Sequence, residues 1–269
     1  MLDGGMNTGT EQLIARVDGA IGFLIFNRPE RHNAVSLEMW QALPDVLAAF
    51  DAERSVRVLV VTGAGERAFV AGADISEFDE ARADSDSNDR YSDVSRTAML
   101  ALAHLQKPAI AMIRGFCMGA GVALALSCDL RFCSEDAKFA IPAAKLGLGY
   151  RFDGVQALAR VVGTTHASEI LFTARRFDAL EARRMNLINH VVASSELEDA
   201  VLYTAHQIAD NAPLTVRASK LALRSALGRP DEAEREAIDD AIEACFESAD
   251  YAEGRRAFRD KRKPRFTGR

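Results

Sequence analysis

Cysteine is scarce in this chain, and what there is does not pair. Cys117, Cys128, Cys133 and Cys245 form no C-x-x-C motif and have no histidine at ligand spacing. That argues against a structural metal site, so no metal is expected, and it suits a reducing compartment where thiols are simply buried. A broad basic surface is missing too. With 33 Lys+Arg against 39 Asp+Glu the net charge is −6, which leaves little to neutralise a phosphate backbone and argues against a nucleic-acid partner. No apolar run reaches membrane-spanning length without a charge or glycine interrupting it, so no membrane partner is expected. The opening "MLDGGMNTGTEQ" lacks a basic segment leading into an apolar core, and a cytoplasmic location is expected from it. No internal repeat or low-complexity segment stands out.

What is present is a chain of 269 residues, 48% hydrophobic and 27% charged. That is enough for one large domain, or one with a small appendage. "QLIARVDGAIGFLIFNRP" reads as two strands joined at Asp18-Gly19, a good hairpin dipeptide. "SLEMWQALPDVLAAFDAE" has helical period, with Ser36 as N-cap and a kink expected at Pro44. "VRVLVVTG", "AIAMIRG" and "DLRFC" read as strands, and "VSRTAMLALAHLQ" and "GVQALARVV" as helices. "DEARADSDSNDR" has almost no large apolar group and reads as a mobile surface loop. Strands alternating with helices indicate an α/β fold with largely parallel pairing. From about residue 194 only helical patterns remain. The tail "RRAFRDKRKPRFTGR" is the one cationic stretch; its composition fits a solvated helix end or a contact to a small anion or phosphate.

Two glycine-rich stretches bear on function. "GAGERA" follows a strand and fits the dinucleotide pattern G-x-G-x-x-A. That motif should open a helix, with an acidic residue about twenty positions on, and here "FVAGADI" follows instead. "GFCMGAG" lies between a strand and a helix. Read as a nucleophile elbow it would use Cys117 and would need an acid and then a histidine downstream; His190 lies in a strand-like run, His166 and His206 in helical ones, and no earlier HGG-type donor loop is present. Read as backbone, a helix starting near Ala120 leaves N–H groups without partners at the positive end of its dipole. Small residues at Gly119, Ala120 and Gly121 let a substrate oxygen approach, and "AGADI" at 71–75 can supply a second donor. Two such donors make an oxyanion hole. On this reading the turn offers backbone, not sulfur.

"AFVAGADI", "KPAIAMIRGFCMGAGVALALSCDLRF", "AKFAIPAAKLGLGY", "GRRAFRDKRKP" and the earlier "FNRPERHNAVS" together resemble the crotonase (enoyl-CoA hydratase/isomerase) superfamily. The resemblance spans about residues 12 to 265 in the family's order. It implies an α/β, crotonase-like spiral of ββα turns with a C-terminal all-helical region. Residues 1–193 would form the spiral core with the acyl-CoA site, and residues 194–269 a helical region for assembly and site cover. It also implies a homotrimer or dimer of trimers acting on acyl-CoA, with no cofactor beyond the coenzyme A of the substrate. The oxyanion donors become the N–H groups of Ala73 and Ala120. Ala71, Asp74, Ile75 and Gly119 would line the acyl-CoA site beside them, and Arg28, Phe258 and Lys261, with Arg262 and Lys263, would meet the CoA portion.

The sequence departs from the family's hydratases where it matters. The two glutamates that handle water and proton correspond to Ala123 and Ala143. Each positioned acid or base is worth a factor of about 10² to 10⁴, so hydration should be crippled. Nearby polar groups are Tyr150, Arg151 and Asp153. Arg151 stands where some isomerase and dehalogenase branches carry an aspartate; it cannot act as a base but can pair with a substrate carboxylate. Tyr150 matches a tyrosine of the methylmalonyl-CoA decarboxylase branch, whose loop histidine is replaced here by Ala73. Asp153 is expected to cap the helix that follows.

Overall fold

The structure is a computed structural model that describes residues 5–77, 85–226, 228 and 230–269. Strands β1 (Gly5–Met6), β2 (Leu13–Asp18), β3 (Ile21–Phe26), β4 (Val58–Gly63), β6 (Ala109–Ile113), β8 (Leu130–Ser134) and β11 (His190–Val192) form a seven-stranded sheet in the order β1-β2-β3-β4-β6-β8-β11. β1, β2 and β3 pair antiparallel, and every pairing from β3 onward is parallel. A second sheet, in the order β10-β9-β7-β5, holds β5 (Ala68–Val70), β7 (Phe116–Met118), β9 (Lys138–Ala140) and β10 (Phe177–Asp178). The chain therefore lays down one strand in the large sheet and the next in the small one, three times over.

The large sheet is apolar on both faces, as parallel sheets covered on both sides are. Alternate residues serve opposite faces: Val58 and Val60 of β4 join one cluster, Leu59 and Val61 the other. β6 repeats this, with Ile110 and Met112 opposed to Ala109, Ala111 and Ile113. One face is covered by helices α1 (Leu37–Ala52), α2 (Ser85–Ala103) and α3 (Ala120–Ser127), through residues such as Leu47, Leu102 and Val122. The other is covered by Leu197, Val201 and Ala205 of a helix spanning Leu197–Ala209. Each large aliphatic side chain so buried contributes about 1.5–3 kcal/mol.

After α3 come α4 (Phe152–Thr173), α5 (Ala179–Arg184), α6 (Leu197–Ala209), α7 (Pro213–Ser225), α8 (Glu232–Glu247) and α9 (Ala249–Arg259). Ser36 caps α1 as expected, accepting from Met39 N at 3.2 Å, and α1 continues as one helix through Pro44. The hairpin loop is Gly19-Ala20, with the glycine first at φ 57, rather than Asp18-Gly19. The polar stretch expected as a loop is helical from Ser85 onward; its positions 79–84 lie outside the described residues. α4 is longer than the expected "GVQALARVV" and breaks at Gly163, φ 75. Its N-cap is Arg151 and Asp153 sits inside the first turn, so Asp153 is not the cap.

The region after 193 is helical, as expected, but its first helix belongs to the main body, because α6 closes the core on one face of the large sheet. α7 is tied in by Lys220, whose Nζ meets Asp129 Oδ2 at 2.7 Å and Lys107 O at 2.8 Å. Among the described residues no helix is long and apolar enough to cross a membrane.

Candidate active site

β5 and β7 run parallel as neighbours, with Val70 opposite Cys117, so the chain leaves both strands at the same end of the small sheet. β5 continues into the turn 71–74, and β7 into Gly119 and α3. The two turns touch. A Cβ on Gly121 would lie 2.2 Å from Val70 O, so α3 can start there only without a side chain. A Cβ on Gly119 would stand 4.0 Å from Gly72 Cα, and one on Gly72 would stand 3.7 Å from Met118 O. Gly72 itself holds φ 126, a conformation other residues rarely adopt.

The orientation of the first turn follows from peptide planarity. Val35 N donates to Gly72 O at 2.9 Å, and Asp74 N donates to Val35 O at 2.9 Å. In a planar trans peptide the C=O and the next N–H point in opposite directions. The Ala73 N–H therefore faces away from Val35, and it has no hydrogen-bond partner among the described residues. On the second turn, Gly119 N is used by Ala140 O at 2.8 Å. Ala120 opens α3, so its N–H has no intrahelical acceptor, and it too lacks a partner among the described residues.

Cys117 is 0% exposed, and burial pushes its thiol well above the ordinary range, with Cys133 and Cys128 adding to the effect. A thiol that is neither accessible nor ionisable is no nucleophile. The "GAGERA" stretch leads into β5 rather than a helix, which removes the dinucleotide reading.

Asp74 is buried beside the first turn. It accepts from Ser76 N and Oγ at 3.1 and 2.6 Å and pairs with Arg28 Nη1 at 2.8 Å. Burial works against its ionisation, but the hydrogen bonds from Ser76 and Arg28 outweigh it and hold the carboxyl below its ordinary range. Pro142 Cδ stands 4.0 Å from the Cβ position of Gly119, so the turn Pro142–Lys145, which carries Ala143, borders the second turn. Ala123 lies one helical turn along α3, with its N–H on Gly119 O at 3.2 Å. Tyr150 is half-buried against the main core, and its ring packs over Gly154, where a Cβ would come within 2.8 Å. Burial raises its phenol to about 12, and the hydroxyl has no partner among the described residues. Arg151 is exposed and forms no side-chain cap.

The sequence pattern of the family Enoyl-CoA hydratase/isomerase matches residues 16–269. The chain belongs to the enoyl-CoA hydratase/isomerase family. A short-chain-enoyl-CoA hydratase of Clostridium acetobutylicum is 34% identical over 251 residues, 93% of this chain and 95% of that one. A peroxisomal Delta(3,5)-Delta(2,4)-dienoyl-CoA isomerase of Arabidopsis thaliana is also 34% identical, covering 93% of both chains. A crystal structure of an enoyl-CoA hydratase/carnithine racemase from Magnetospirillum magneticum superposes with a TM-score of 0.91 at 37% identity, covering 97% of each chain. The expected crotonase-like α/β fold with its helical C-terminal region is thus present. Equal identity to a hydratase and an isomerase gives the family's acyl-CoA chemistry without choosing the reaction.

Within this enoyl-CoA hydratase/isomerase fold, the turn that carries Ala71, Ala73 and Asp74 meets the turn that carries Gly119 and Ala120 through Gly72, and Ile75, 60% exposed, opens the short helical turn that follows. Phe258, 88% exposed, lines a cleft of about 660 Å³ between α7, α8 and α9, and none of residues 71–75 or 119–120 lines it. In the tail, Arg256 and Arg262 are both engaged by Glu253, whose carboxyl they hold far below its ordinary range. Lys261 and Lys263 have no acidic partner among the described residues.

Sequence reasoning passed over Asn33. It is fully buried at φ 57, donates from Nδ2 to Ala64 O and Ala68 O at 3.0 and 2.8 Å, and accepts from Arg28 N at 3.0 Å. It fastens segment 28–36 onto the connection into β5. Asparagine in a polar turn was the visible signal; its partners were not. Glu77 was missed as well, and its Oε2 accepts from Leu37 N at 2.8 Å, docking the end of the first turn on α1.

Proposed function

We propose that this protein polarises the carbonyl of an acyl-CoA thioester between the N–H groups of Ala73 and Ala120 and stabilises the enolate that forms. The meeting of two turns, each with an unpartnered N–H, carries this reading. Preorganised donors act where charge develops, and removing one from an oxyanion hole costs about 10²- to 10³-fold in kcat. Hydration is not the reaction proposed. Ala123 and Ala143 offer no proton and no hold on water, and Asp74 is committed to Arg28 and Ser76. Lys261 and Lys263 remain free to meet the CoA nucleotide of a neighbouring copy in a trimer, which light scattering can check.

Tyr150 favours a second, more specific reading, decarboxylation of a malonyl-type thioester. Loss of carbon dioxide breaks the bond from the α-carbon to the carboxylate. The electron pair passes into the thioester as an enolate, so no base is needed to begin. The enolate then takes a proton at the α-carbon from water or from the Tyr150 phenol, which burial keeps protonated. Purified protein incubated with methylmalonyl-CoA and with crotonyl-CoA, followed by mass, separates the readings. Carbon dioxide loss with hydration at least about 10²-fold below that of glutamate-bearing relatives is the expected result. Fast hydration of crotonyl-CoA would overturn the argument from the missing glutamates, and tight binding without turnover of either thioester would mark a silent acyl-CoA binder.

A further inference from the structure

We propose that the Arg28–Asp74 ion pair is a positioning device for the Ala73 donor, and that Arg28 is not a contact for coenzyme A phosphate. This rests on the oxyanion-hole reading above and deepens it. A single nitrogen, Arg28 Nη1, reaches both Asp74 Oδ2 at 2.8 Å and Ala34 O at 3.0 Å. Those two acceptors flank the isolated bridge between Val35 and Ala73, one on each chain segment. The guanidinium therefore straddles the contact that aims the donor. Gly72 O is pinned by Val35 N, and the planar peptide then sends the Ala73 N–H the other way. If segment 34–35 shifts against segment 72–74, the donor shifts with it.

Burial sets this pair apart from an ordinary surface ion pair. The Arg28 and Asp74 side chains are 16% and 8% exposed. Exposed pairs contribute little, but breaking a shielded pair leaves an uncompensated charge. Three further restraints converge on the same segment: Asn33 locks the backbone of Arg28, His32 O accepts from Ala71 N at 3.1 Å, and Ser76 fixes the other side of the Asp74 carboxylate. A phosphate at Arg28 would have to compete with a carboxylate already in place. A donor displaced by about 1 Å costs on the order of 10²-fold in rate, so rigidity here has a direct catalytic consequence.

The test uses two ligands and five proteins. Acetoacetyl-CoA reports the oxyanion hole, because its enolate absorbs in the near ultraviolet when a site stabilises it. Coenzyme A alone, titrated by calorimetry, reports phosphate contacts. Wild type should show the enolate band. Arg28→Met and Asp74→Asn should each lower the bound enolate-to-keto ratio by roughly 10- to 100-fold, with the Kd for coenzyme A within about twofold of wild type. Arg28→Lys, which keeps the charge but not the straddling geometry, should fall between, and it serves if Arg28→Met fails to fold. The double variant should be no worse than the worse single one, because both remove one interaction. Weaker coenzyme A binding in Arg28→Met but not in Asp74→Asn would assign Arg28 to phosphate and overturn the brace. An undiminished band in both single variants would overturn it as well. No band in wild type would instead sink the oxyanion-hole reading, and the brace with it.

Discussion

The two turns that meet at the site are held in unlike ways. The turn 71–74 is braced by side chains: Arg28 straddles it, Asn33 ties its neighbour down, Ser76 and Glu77 fasten its far end. The turn at 119–121 is held by backbone and by the absence of side chains, with Gly119 N on Ala140 O and Gly121 pressed against Val70 O. One half of the site depends on charge and its partners, the other on close packing. Substitutions should therefore damage the two turns by different mechanisms and respond differently to pH.

The largest effect is expected at the packed turn. Gly121→Val would place a side chain where the backbone of β5 already stands, and overpacking of this kind costs about 3 kcal/mol or more. Chemical denaturation should show that loss, together with loss of acyl-CoA turnover at any pH. Next comes the braced turn. Asn33→Ala strands the carbonyls of Ala64 and Ala68 and the N–H of Arg28 and leaves alanine in a left-handed conformation. A loss of about 2–3 kcal/mol in urea is expected, and a value below about 0.5 kcal/mol would remove Asn33 from the account.

A smaller, pH-dependent effect separates the turns more sharply. The Asp74 carboxyl lies below its ordinary range in the folded chain, so its ionised form stabilises the fold above the unfolded pKa of about 3.9. That contribution is lost as pH falls through the lower folded value. Thermal melts of Asp74→Asn should therefore approach those of wild type on acidification, whereas the gap between Gly121→Val and wild type should not close. The smallest stability change is expected for Tyr150→Phe, within about 0.5 kcal/mol, since its hydroxyl has no partner among the described residues to lose. Its effect should appear in turnover of a malonyl-type thioester rather than in melting. Unchanged turnover would restrict Tyr150 to packing.

How much of this was legible in the sequence follows from the range of each interaction. β4 and β6 were readable because each is a long apolar run, and the turns were readable because glycine and alanine spacing is local. β5, β7 and β9 have three residues each, too few for a periodicity, and they exist only because they pair with one another. The helix from Ser85 was hidden by its polar start, which packing of its later turns against α1 overrides. Asp153 looked like a cap because a cap is a local pattern, yet the helix begins one residue earlier. Arg28 was the harder case: its motif suggested a phosphate contact, and the carboxylate of Asp74 that the fold brings alongside it left no sign in the motif. Partners far apart in sequence leave no local trace.

The most direct test of the central claim is a structure with an acyl-CoA thioester bound. The thioester oxygen is expected at about 2.7–3.1 Å from both Ala73 N and Ala120 N. A thioester oxygen lodged elsewhere, or touching only one of these nitrogens, would contradict it.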